Sequence, residues 1–139
     1  MPRVKAVLDT NVVVSALLKD GGREALIVDL ALSGRFTPVV SKDLLGEYEE
    51  VLRRPRLGLN PARVTRAMRA IRSKALCVDP QIFVQGAHDP DDNMVLACAL
   101  AGGADYLVTG NTRHFPKEFQ SIRIIPPRQF LVILAAELE

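Results

Sequence analysis

Near the start of the chain the run Val4-Lys5-Ala6-Val7-Leu8 drives straight into Asp9-Thr10-Asn11, and this junction constrains the fold more than any other stretch. A short Val- and Leu-rich run stopped by three polar residues reads as a buried strand that delivers a carboxylate to the rim of a sheet. In open parallel α/β sheets, ligands bind at that rim. Asp, Thr and Asn are also favoured helix N-caps, and Val12 to Leu18 could follow as a helix. The stretch alone leaves both readings open.

A chain of 139 residues with 48% hydrophobic content is long enough to bury one core, so a single domain over 1–139 is the expectation. Cys77 and Cys98 lie in apolar stretches without metal-ligand spacing and read as reduced core residues. The apolar run before Asp9 is too short for a signal peptide or a membrane span, and a cytoplasmic protein without a membrane partner is expected. Net charge is only +2, but it is segregated: Arg53 to Lys74 holds eight Lys or Arg and no acid, while Ala75 to Thr112 holds five Asp and no Lys or Arg. Such a pattern suits a cationic surface serving an acidic site, and equally a solvated helix face beside a loop.

Along the chain, strands alternate with helices. Arg23 to Ser33 has helical periodicity and is stopped by Gly34, Phe36 to Val40 is a second strand, and Ser41 caps the next helix. On that helix Leu44, Leu45, Tyr48, Val51 and Leu52 form one apolar arc. Glu47 and Glu49 lie just outside its two borders, so helical geometry nominates both and chooses neither. After Pro55 and a loop, a further helix buries Val64, Ala67, Met68, Ile71 and Ala75. Arg63, Arg66, Arg69 and Arg72 are thereby expected on its exposed side, where they serve either phosphate contacts or solubility.

Leu76 to Val78 reads as a third strand, followed by a loop through Gly86 to His88. Asp89-Pro90-Asp91-Asp92 then opens a helix that runs to about Ala101 and stops at Gly102-Gly103. Asp92 shares a line with Val95, Leu96 and Ala99, and a carboxylate aimed inward there needs a partner. Asp105 to Val108 is another strand, with Asp105 at the end opposite the Asp9 rim and therefore structural. A strand at Ile122 to Ile125, a turn at Pro126-Pro127 and a helix around Phe130 to Leu138 complete the chain. The expected architecture is a three-layer α/β/α sandwich with a central parallel sheet.

The chain resembles a PIN domain, the nuclease fold of VapC-type toxins and related ribonucleases. The resemblance rests on Leu8-Asp9-Thr10-Asn11, on the Ser41-capped helix with Glu47 in its second turn, on the helix opened by Asp92 with Ala99, and on Ala104 to Asn111. It implies that Asp9, Glu47 and Asp92 are the catalytic, metal-binding acids, which selects Glu47 over Glu49. It also implies that Asn11 and Thr109 flank the site, with Asp89 as an outer acid. The implied activity is cleavage of single-stranded RNA with Mg²⁺ or Mn²⁺, in a toxin that pairs with an antitoxin and forms a homodimer. Arg63, Arg66 and Arg69 would hold the RNA backbone. One departure stands out: after Thr109-Gly110, where such domains commonly carry an aspartate, this chain has Asn111. Its amide oxygen can ligate a hard cation but adds no charge. His114 nearby is a loop histidine open to a general-acid role.

The electrostatics lead the same way. Two carboxylates about 5 Å apart repel by roughly 3 kcal/mol at an effective dielectric near 20, and a divalent cation removes that conflict. Oxygen-only donors favour Mg²⁺ or Mn²⁺ over Zn²⁺. Two other readings place an aspartate after the first strand or keep the fold without the activity. A receiver- or dehalogenase-like phosphotransfer domain would want a second acid at position 11 and a lysine after Val108-Thr109, and has neither. A non-catalytic RNA-binding module would follow if Asn111 removes too much charge.

Overall fold

The computed structural model describes residues 3–82, 84–87 and 89–137. Six strands, β1 (Lys5–Leu8), β2 (Thr37–Ser41), β3 (Leu76–Val78), β4 (Tyr106–Val108), β5 (Glu118–Phe119) and β6 (Ile122–Ile125), form one sheet in the order β3-β2-β1-β4-β6-β5. Neighbours are parallel except the β5–β6 pair. The six α-helices are α1 (Thr10–Leu18), α2 (Arg23–Leu32), α3 (Lys42–Leu52), α4 (Pro61–Lys74), α5 (Pro90–Ala101) and α6 (Pro127–Glu137).

β1 is central. Ala6, Val7 and Leu8 are each at most 5% exposed, although successive strand residues point to opposite faces, so the sheet is covered on both sides. α1, α3 and α5 all begin at the rim reached by the C-terminal ends of β1 and β2, capped by Asp9, Ser41 and Asp89. At its far end α5 lies so close to β2 that a Cβ on Gly102 would meet Val39 Cγ1 at 2.4 Å. Only glycine permits that approach. Gly34, at φ +80°, turns the chain out of α2 where an L side chain would be strained.

Several expectations change. The sheet is not wholly parallel, because Gln120 in the left-handed region closes a two-residue hairpin strand that is too short to carry periodicity. Cys77 is not a core residue: β3 is an edge strand and leaves it exposed, whereas Cys98 is buried. α6 starts at Pro127, earlier than expected, because proline is well suited to a first helical turn; Leu138 lies outside the described residues. His88, the expected end of the loop before α5, also lies outside them. Among the described residues no helix is long and apolar enough to cross a membrane.

Candidate active site

Asp9 satisfies both readings of its junction. It follows β1 directly and caps α1, the single residue between strand and helix. One carboxylate oxygen, Oδ1, accepts the Thr10 N–H at 2.9 Å. The other, Oδ2, accepts the Thr109 hydroxyl at 2.7 Å and the Asn11 amide at 3.2 Å. Only 6% exposed, the carboxyl is pushed above its ordinary range by burial, while these three donors and the charge of His114 pull it back.

Asn11 and Thr109 stitch the end of β4 to the start of α1. The Asn11 side-chain oxygen Oδ1 accepts the Gly110 N–H at 3.0 Å, and the Thr109 hydroxyl oxygen accepts the Asn111 N–H at 3.0 Å. Asn111 thus joins the site through its backbone, and the residue is exposed.

The structure separates the two glutamates that helical periodicity left together. Glu47 turns toward the rim and accepts the Thr10 hydroxyl. Burial, then the negative charges of Asp91, Asp9 and Glu50, raise its carboxyl against that donated bond. Glu49 faces away, accepting from Arg53 at 3.0 Å and from Arg72 at 3.1 Å, and these bonds lower its carboxyl. Asp92, in the first turn of α5, is pushed up to about 6 by burial, then by the charges of Asp9 and Asp89, with Glu47 adding to the effect and His114 opposing it. Asp89 itself is exposed and spends its side chain on the Asp91 N–H at 2.8 Å.

Asp9, Glu47 and Asp92 therefore bear on one another electrostatically, and His114 lies near enough to act on Asp9 and Asp92. Among the described residues no three His, Cys, Asp or Glu side chains approach closely enough to enclose one metal ion. The all-oxygen donor set fits a hard cation bound through one or two carboxylates and otherwise by water, the usual condition of Mg²⁺.

The basic run is less free than its sequence suggests. Arg63 is half-buried rather than exposed: it donates to the Leu17 carbonyl at 2.6 Å and pairs with Asp20 at 3.0 Å, tying α4 to the end of α1. Arg53 and Arg72 hold Glu49, and Arg54 holds Glu50 at 3.0 Å. Arg66 and Arg69 remain exposed on α4 and form no ion pair among the described residues. Two contacts escaped the sequence reading. Thr10 carries a hydroxyl bond to Glu47, and Tyr48 donates to the Leu8 carbonyl. The second had a signal, since a tyrosine on a buried arc needs a partner for its hydroxyl.

Residues 5–113 match the sequence profile of the PIN domain family. An uncharacterized protein of Methanocaldococcus jannaschii, MJ1680, is 28% identical over 112 residues, which cover 78% of this chain and 72% of that protein. The crystal structure of PAE2754 from Pyrobaculum aerophilum superposes with a TM-score of 0.63 over 96% of this chain and 90% of its own, at 18% identity. At that identity the superposition speaks for the fold alone.

Proposed function

The chain belongs to the PIN domain family, whose fold is of nuclease type, and on that premise we propose that it is an endoribonuclease that cleaves single-stranded RNA with Mg²⁺ or Mn²⁺. The observation that carries the reading is the buried Asp9, gripped by three donors and crowded by the charges of Glu47 and Asp92. Asp9 and Asp92 would hold the cation, with Glu47 completing the acidic set and Asn11, Thr109, Asp89 and Asn111 at its edge. When bound, such a cation supplies Lewis acidity at the scissile phosphate and acidifies an attacking water.

The protein's own contribution is placement. Thr109, Asn11 and the Thr10 N–H fix Asp9 so that it does not turn away when its neighbours ionise, and Thr10 does the same for Glu47. On α4, Arg66 and Arg69 are exposed, form no ion pair among the described residues and are free to meet the RNA backbone. We further propose a homodimer in the cytoplasm that acts as a toxin with an antitoxin protein. The open groove among α1, α2 and α4, lined by Asp20, Asp29, Arg63 and Arg66 beside Leu32, is the face we assign to such a partner.

The test is cleavage of unstructured RNA with Mn²⁺, with chelator, and with Asp9→Asn. Cleavage that needs both the cation and Asp9 is expected. RNA binding without cleavage would instead favour a non-catalytic RNA-binding module, a reading to which Asn111 and the absence of a closed three-acid cluster among the described residues lend support.

A further inference from the structure

Tyr48 directly follows Glu47 in α3, and the helical turn of about 100° per residue sends the two side chains different ways. Glu47 faces the rim while the Tyr48 ring, 1% exposed, enters the core. There its hydroxyl donates to the Leu8 carbonyl. That carbonyl is the last of β1 before Asp9. The Asp9 N–H bonds Val108 on the β4 side, so strand alternation turns the Leu8 carbonyl the other way. On that side the register of β1 with β2 runs over Lys5↔Thr37 and Ala6↔Pro38, and Leu8 lies beyond it.

The other buried residues of α3, Leu44, Leu45 and Leu52, are held by apolar packing, which has no preferred direction. Packing tolerates a small slide or rotation of the helix; a hydrogen bond at the tip of a rigid ring selects one setting. Burial keeps the phenol protonated, so it remains a donor throughout the ordinary pH range.

We propose that Tyr48 is a positioning residue: by joining α3 to the last carbonyl of β1, its hydroxyl fixes Glu47 against Thr10 and sets its spacing from Asp9. The placement stands on the hydrogen bonds alone, and its consequence for a cation rests on the metal-dependent reading above.

Tyr48→Phe removes only the hydroxyl. Leu52→Val thins the same buried face without touching the bond and controls for general softening. In the metal-free protein, NMR cross-relaxation between the Thr10 methyl and the Glu47 side chain reads the placement directly. The contact is expected in the wild type and in Leu52→Val, and is expected to weaken in Tyr48→Phe. In calorimetric titration, Tyr48→Phe should bind Mn²⁺ about tenfold more weakly, the scale found for groups that orient metal ligands, with Leu52→Val within about twofold of wild type. An undiminished contact in Tyr48→Phe, or equal losses in both variants, overturns the proposal. If the wild type binds no Mn²⁺, the metal reading fails and the cross-relaxation alone decides the role of Tyr48.

Discussion

Strands β1 and β4 meet an aspartate at each end, and the two carboxylates live under opposite conditions. At the N-terminal end Asp105 is exposed and accepts the first N–H of β1, from Lys5 at 2.9 Å, while its own N–H returns a bond to the Lys5 carbonyl at 2.8 Å. At the C-terminal end Asp9 is buried, accepts three donors and sits within reach of the charges of Glu47 and Asp92. The first closes a strand end that would otherwise fray. The second concentrates negative charge where water cannot screen it, and donors alone do not return it to its ordinary range. Residue type is the same at both ends; the surroundings decide what the carboxylate does.

The largest expected effect breaks the comparison outright. Asp9→Asn should lower Mn²⁺-dependent cleavage by more than the roughly hundredfold seen for groups that merely orient ligands, whereas Asp105→Asn, still an acceptor for Lys5, should stay near wild type in steady-state assays. Equal losses at the two ends would dissolve the distinction.

Next in size is a pH effect confined to the crowded end. Asp92 rises from 3.8 to about 6 on folding, so the folded metal-free protein binds its proton more tightly than the unfolded chain does. The resulting stability is fully present below about pH 4 and is lost as pH rises through about 6. Denaturant unfolding in chelator should show this slope, and Asp92→Asn should flatten it. Mn²⁺ affinity should run the opposite way, rising over the same window.

The arginines of α4 pose the comparison again, with cations. Arg63→Ala should cost about 1 kcal/mol in unfolding experiments, mainly from the Leu17 carbonyl bond, since the exposed pair with Asp20 contributes little. Changing Arg66 and Arg69 together to Ala should leave stability within about 0.5 kcal/mol and reduce the salt slope of single-stranded RNA binding by roughly 1.4. An unchanged slope would return these arginines to solubility.

The smallest effect belongs to Asn111. Asn111→Asp adds a carboxylate at the exposed edge of the site, so Mn²⁺ binding should tighten severalfold while metal-free stability falls by less than about 0.5 kcal/mol. Calorimetry paired with unfolding in chelator checks both signs.

Much of the architecture was legible because it is written locally. The Val4 to Asn11 junction, the Ser41 and Asp89 caps and the glycine stops each act within a few residues. Asp105 could be placed at the structural end from strand direction alone. What escaped depends on partners distant in sequence. Glu47 and Glu49 are equivalent by helical periodicity, and only the neighbours, Thr10 on one side and Arg53 with Arg72 on the other, tell them apart. Arg63 looked exposed because its carbonyl partner lies 46 residues away. Tyr48 counted as one more apolar residue until β1 supplied an acceptor.

The shared starting edge of α1, α3 and α5 has an electrostatic consequence of its own. The aligned peptide dipoles of a helix leave roughly half a positive charge at its N-terminus, so three such ends bring on the order of one and a half positive charges to the rim where the acids gather. Their first-turn N–H groups, which have no partner inside the helix, turn to side-chain oxygens there: Thr10 N–H to Asp9, Leu44 N–H to Ser41 and Asp91 N–H to Asp89. Negative charge gathered at that edge is thus opposed by the helix dipoles, and the field there is less repulsive than a count of aspartates and glutamates implies.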